Sequence, residues 1–77
     1  MKWIFVEQIF TPWKKTAEWE VFSKEGGSLG IIKWKANWRK YAFFPYDHAY
    51  FEQTCMRELA DFIEQETKEY KKDWYKL

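Results

Sequence analysis

Two stretches of strand-forming composition, Leu29–Lys35 and Trp38–Phe44, are separated by only two residues, Ala36 and Asn37. Strands joined so closely must run antiparallel, because a parallel crossover needs a dozen or more residues. The same logic extends upstream. Lys2–Phe10 is rich in β-branched and aromatic residues, and Pro12 in the connection Thr11–Lys15 ends it, since proline cannot donate to a ladder. In Thr16–Lys24, Ala17, Trp19 and Val21 alternate with Glu18 and Glu20, the clearest period-two pattern in the chain. Lys2–Phe10 has apolar residues at both parities, which predicts a strand buried on both faces for part of its length. Glu25-Gly26-Gly27-Ser28 has the glycine pair of a hairpin turn. A phosphate-cradling loop would open a helix, whereas this one opens a strand.

After Pro45–Tyr50 the periodicity changes. Phe51, Cys55, Leu59, Phe62 and Ile63 form one apolar stripe, with Met56 and Ala60 beside it, which predicts a helix from Phe51 to about Tyr70. Arg57, Glu58, Asp61, Glu64, Gln65 and Lys68 fall on the opposite, solvated face. Residues 70–77 either extend the helix or fray. The fold expected is α+β: a four-stranded antiparallel sheet (β-β-β-β-α) with one C-terminal amphipathic helix packed on one face, in a single domain over residues 1–77.

A chain of 77 residues buries only about 60% of its unfolded surface, so its core needs large side chains. Six Trp, five Tyr and seven Phe supply them. Charge is unevenly placed. Residues 1–45 hold eight Lys/Arg and four Asp/Glu, whereas residues 46–77 hold five and eight. The single cysteine, Cys55, rules out an intramolecular disulfide and favours a reducing cytoplasm. Glu7 and Gln8 interrupt the only signal-like run, and no stretch approaches the roughly 20 apolar residues of a membrane span.

If Ala36-Asn37 is a two-residue turn, Lys35 faces Trp38, Trp34 faces Arg39, Lys33 faces Lys40 and Ile32 faces Tyr41. Ile32, Trp34, Arg39, Tyr41 and Phe43 then share one face. Leu29, Ile31, Lys33, Lys35, Trp38, Lys40, Ala42 and Phe44 share the other, and a one-residue slip would exchange the two. The binding candidates are Trp38, Arg39, Lys33, Lys35, Lys40, Trp34 and Tyr41, because rings stack on bases while cations pair with phosphates. Trp34 and Tyr41 read slightly better as core, with Arg39 over Trp34 as a structural pair. One helix covers one face of a sheet, so the apolar residues left over must meet the tail, a ligand or another subunit, and a homo-oligomer is expected.

Catalytic readings are weaker. Cys55 falls on the apolar stripe, where a cysteine behaves as a small hydrophobe, and Asp47-His48 lies in a loop. One His and one Cys are too few for a zinc site of the usual four ligands. Glu58, Asp61 and Glu64 read as a solvated face with no carboxylate cluster opposing them. No enzyme activity, catalytic residue, metal or cofactor is therefore expected.

The segments Leu29-Gly30-Ile31-Ile32-Lys33-Trp34, Trp38-Arg39-Lys40-Tyr41 and Phe43-Phe44-Pro45 resemble a family of short, mostly uncharacterised proteins encoded by phages and other mobile elements. There a Leu-Gly-x-Ile-Lys-Trp strand leads through a short turn into Trp-Arg-x-Tyr-x-Phe-Phe-Pro. The stretch Cys55–Phe62 resembles the helix that follows. The resemblance implies a small viral accessory protein in the cytoplasm of a bacterial host, of a kind that often antagonises defence. The expected function is non-enzymatic binding of a host protein or a phosphate-bearing, nucleotide-like ligand, with a sheet-based nucleic-acid-binding module as the alternative.

Overall fold

The computed structural model describes residues 2–72. Four strands, β1 (Ile4–Ile9), β2 (Glu18–Ser23), β3 (Ser28–Lys35) and β4 (Lys40–Pro45), form an antiparallel meander in the order β1-β2-β3-β4, and helix α1 (Gln53–Lys71) follows. The α+β architecture expected from the sequence is the one found. The expected alternatives for the tail past residue 72 lie outside the described residues.

Alternation decides which face α1 covers. Ile4, Trp19, Val21, Leu29, Ile32 and Tyr41 from the strands and Cys55 and Leu59 from the helix form the core. Trp19 meets Tyr41 and Phe62 edge-on, at ring-centroid distances of 5.2 and 5.1 Å. Trp34 meets Tyr41 edge-on at 5.1 Å and Tyr70 at 4.7 Å. Large rings in offset contact fill a volume that so short a chain could not fill with aliphatic residues. Tyr41 is buried with its polar groups satisfied: its hydroxyl accepts the Ala17 N–H, and its own N–H donates to Thr67 Oγ1, both at 3.2 Å.

The opposite face is open. It carries Phe5, Glu7 and Ile9 from β1, Glu18, Glu20 and Phe22 from β2, Ile31, Lys33 and Lys35 from β3, and Lys40, Ala42 and Phe44 from β4. The expectation that the first strand is buried on both sides is corrected here. β1 is an edge strand whose apolar side chains on the helix side are Ile4 and Val6, and Phe5 on the other side is 56% exposed.

The hairpin register differs from the expected one. Lys35 pairs with Lys40, Trp34 with Tyr41, Lys33 with Ala42 and Ile32 with Phe43. The turn therefore has four residues, Ala36–Arg39, rather than two. A two-residue hairpin turn needs positive φ, which alanine does not favour. The longer loop instead makes one helical turn: the N–H groups of Trp38 and Arg39 donate to the Lys35 carbonyl at 3.1 and 2.9 Å, and Arg39 reverses the chain at φ 55°. A shift of two residues preserves side-chain parity, so the strand residues keep their expected faces while Trp38 and Arg39 leave the sheet.

Leu29 is a second correction. Expected on the face with Ile31, it is buried in the core, because the β2–β3 register shifts between Val21 and Phe22. Gly30 makes this passage possible. At φ 156° it presses against β4 so closely that a Cβ would lie 2.4 Å from the Phe44 carbonyl oxygen. The β2–β3 turn is a hairpin closed by Gly26 at φ 97°.

The helix starts two residues later than expected. Glu52 is its N-cap, accepting the Cys55 N–H at 2.6 Å, and Phe51 instead packs edge-on against Phe43 at 5.2 Å. Among the described residues no helix is long and apolar enough to cross a membrane.

Candidate functional site

In an up-and-down meander the first and third connections emerge at the same end of the sheet. Phe10–Ala17 and Ala36–Arg39 are those connections. The helix starts at the other end and climbs back, so its last turn, with Lys68, Lys71 and the C-cap residue Lys72, also arrives there. Contacts of Tyr70 with Trp34 and of Thr67 with Tyr41 fix that direction.

This end gathers exposed rings and cations. Trp38 is 59% exposed, Trp13 73% and Phe10 81%. Arg39 and Lys40 flank Trp38, and Lys14 and Lys15 follow Trp13. Lys35 Nζ lies 5.5 Å from the centre of the Trp38 ring, which orients the ring and keeps a cation beside it. Several local carboxylates are engaged: Glu18 with Lys14, Glu64 with Lys68 and Glu69 with Lys72. Lys72 also holds the Glu69 carboxyl below its ordinary range, by hydrogen bond and by charge. Among the described residues Lys15, Arg39 and Lys40 form no ion pair, and their charges point to solvent.

The seven residues singled out in the sequence divide three ways. Trp38, Arg39, Lys35 and Lys40 lie at this end. Lys33 sits on the open sheet face, its Nζ 4.6 Å from the centre of the Phe44 ring. Trp34 and Tyr41 lie under the helix, in the aromatic cluster. Burial, outweighing the hydrogen bond from Ala17, pushes the Tyr41 hydroxyl above its ordinary value, as do the nearby Glu66 and Tyr70. Arg39 does not stack on Trp34 as one reading had it. At the turn it is Lys35 that lies over a ring, that of Trp38.

Sequence reasoning left Trp13, Lys14 and Lys15 out of the site. The signal was present, because connections one and three of a four-stranded meander share an end whatever the register.

The other end holds a cleft of about 540 Å³ between the β2–β3 turn, residues 48–52 and the start of α1. Trp3, Lys24, Leu29, His48, Tyr50, Glu52 and Cys55 are among its lining residues. The cleft brings His48 and Cys55 to one place, but burial and then the nearby Glu52 and Glu58 push the thiol up, toward the protonated form. A nucleophilic cysteine needs the reverse shift.

The helix carboxylates do not act together. Glu58 turns to the start of β1, where it accepts the N–H groups of Lys2, Trp3 and Ile4, and Glu64 pairs with Lys68. This corrects the solvated placement expected for Glu58. No protein-family model, curated protein or solved structure matches the chain.

Proposed function

We propose that this protein is a non-enzymatic binder of a phosphate-bearing ligand, held at the end of the sheet where Trp13 and Trp38 emerge. The observation that carries the reading is that two exposed tryptophans, 25 positions apart in sequence, emerge at one end of the sheet together with Lys15, Lys35, Arg39 and Lys40. Exposing two indoles to water is unfavourable unless something covers them, and the nearby cations select an anion. Stacking contributes about 1–3 kcal/mol per base, so two rings are enough to hold a nucleotide or a short single strand.

The open face argues against a duplex laid across the strands. Glu7, Glu18 and Glu20 cover its β1–β2 half, and they would repel phosphates there. With the resemblance to mobile-element proteins, the reading becomes a small accessory protein in the cytoplasm of a bacterial host that sequesters a nucleotide used in defence.

A host protein at the same end is the second reading. It is favoured by the fact that Trp and Arg dominate interface energetics. Titration of tryptophan fluorescence with ATP and with a thymidine oligonucleotide, at about 50 mM and about 300 mM salt, separates them. Quenching by either probe that weakens with salt supports the phosphate reading, and the probe that binds tighter identifies the class. No response to either at low salt overturns it and leaves the protein partner.

A further inference from the structure

The open sheet face is patterned in a way the ligand-binding end does not explain. Its carboxylates, Glu7, Glu18 and Glu20, all stand on β1 and β2. Its lysines, Lys33, Lys35 and Lys40, all stand on β3 and β4. Among them stand Phe5, Ile9, Phe22, Ile31, Ala42 and Phe44, apolar side chains on the face away from α1. The face is thus neutral as a whole and split into two halves of opposite sign.

A surface split in this way is complementary to itself. A second copy can stack face to face in two ways about a two-fold axis lying between the sheets. An axis across the strands sets β1 on β1 and β4 on β4, so like charges meet. An axis along the strands sets β1 and β2 of one copy on β4 and β3 of the other, so the acidic half meets the basic half. In that arrangement levels along the strands are kept. Glu18 and Lys33, each one residue beyond the Trp19–Ile32 pair, then lie at one level and face each other between copies, whereas Glu7 and Glu20 stand level with Phe44 and Ile31.

We propose that this face is closed by a second copy of the chain, about a two-fold axis parallel to the strands. Four strands at about 4.8 Å spacing and six residues at about 3.3 Å rise give a patch of roughly 400 Å² per copy. Counted over both copies that is below the about 1,200 Å² of stable specific interfaces, so the dimer is weak, reversible and sensitive to salt. The axis also has a functional consequence. Because levels along the strands are kept, both Trp13–Trp38 ends emerge on the same side of the dimer, making it bivalent for whatever they hold.

The proposal is tested by sedimentation equilibrium without ligand, so failure here leaves the ligand-binding reading standing and failure there leaves this one. The wild-type chain is expected at twice its 9.6 kDa mass at high micromolar concentration, dissociating as salt is raised. Glu18→Lys, and separately Lys33→Glu, each set like charges against one another between copies and are expected to give monomers with unchanged far-UV circular dichroism. Mixing the two variants in equal amounts is expected to restore the dimer, because each supplies the half the other has lost. If a variant unfolds, Phe5→Ser, at an exposed edge-strand position, replaces it and is likewise expected to be monomeric. A wild-type chain that stays monomeric overturns the proposal and leaves the face to a different partner. A dimer that survives in both charge variants separately also overturns it, by placing the interface elsewhere.

Discussion

The Glu58 carboxylate, in the second turn of the helix, accepts the backbone N–H of Trp3 at 3.0 Å, and those of Lys2 and Ile4 beside it. A helix side chain thus occupies donors at the start of an edge strand, tying residues more than fifty positions apart. Burial works against charge on Glu58, but the three donors outweigh it and hold the carboxyl below its ordinary value near 4.5. Replacing Glu58 by Gln removes the charge and half of the acceptor capacity. Amide exchange at residues 2–4 is expected to accelerate more than exchange in β3. Equal acceleration in both strands would mean that the loss is global rather than local.

A depressed carboxyl pKa fixes the sign of the acid response. Stability from Glu58 is present above the ordinary carboxylate value and is lost as pH falls through the lower folded value. Glu52, lowered by the N–H groups of Thr54 and Cys55, adds to the same limb. The alkaline limb has other causes. Tyr41 and Cys55 are raised above their ordinary values of 10.0 and 9.0, so their contributions hold below those values and are lost as pH rises through the folded ones. Thermal melts across pH are expected to show both limbs, with Glu58→Gln flattening the acid side and Tyr41→Phe the alkaline side. Tyr41→Phe also withdraws the acceptor from the Ala17 N–H, at about 1 kcal/mol near neutral pH.

Gly30 allows β3 to pass against β4 while the β2–β3 register shifts. A methyl group there would sit 2.4 Å from the Phe44 carbonyl oxygen and 2.8 Å from the Pro45 Cα, both backbone atoms that cannot rotate away. Gly30→Ala is expected to cost about 3 kcal/mol or more, read as a lower urea midpoint. Gly27, whose added Cβ would meet only the Ser23 hydroxyl at 3.6 Å, is the control, and alanine there is expected to shift the midpoint far less.

Parity explains what could be read without coordinates. Alternation in Thr16–Lys24 and in the two hairpin strands placed Trp19, Val21, Ile32, Trp34, Tyr41 and Phe43 on the helix side, and the two-residue register error left that assignment intact. What alternation cannot report is a change of loop length or a shift in the ladder. Trp38 therefore moved from strand to turn, and Leu29 from the open face to the core. The reach of a single side chain is equally silent in a helical pattern. Glu58 belongs to the polar face by periodicity, yet its carboxylate reaches β1. The ligand-binding end was half legible, since Trp38 and Arg39 stood out as a motif whereas Trp13 had only topology to recommend it.

Trp34 and Trp38 are four residues apart with opposite surroundings, which makes them a direct test of interior against surface. Trp34→Ala removes a ring packed on Tyr41 and Tyr70 and is expected to cost about 2–3 kcal/mol, somewhat less than for a fully buried tryptophan. Trp38→Ala is expected to change stability by no more than about 0.5 kcal/mol, as for other exposed positions. A large loss at Trp38 would mean that its stacking with Lys35 shapes the turn.

Ligand binding should reverse that order. Each exposed ring that stacks on a base contributes about 1–3 kcal/mol, so Trp13→Ala and Trp38→Ala are each expected to weaken binding of the tighter probe by roughly 5- to 150-fold. The cations act differently. Lys15→Ala is expected to lower affinity for an oligonucleotide and to reduce the slope of log affinity against log salt by about 1, as loss of one phosphate contact should. Trp13→Ala should leave that slope unchanged, because stacking releases no counterions. If Trp13→Ala binds as well as wild type while Trp38→Ala does not, the two connections do not share one ligand and the site contracts to the Ala36–Arg39 turn.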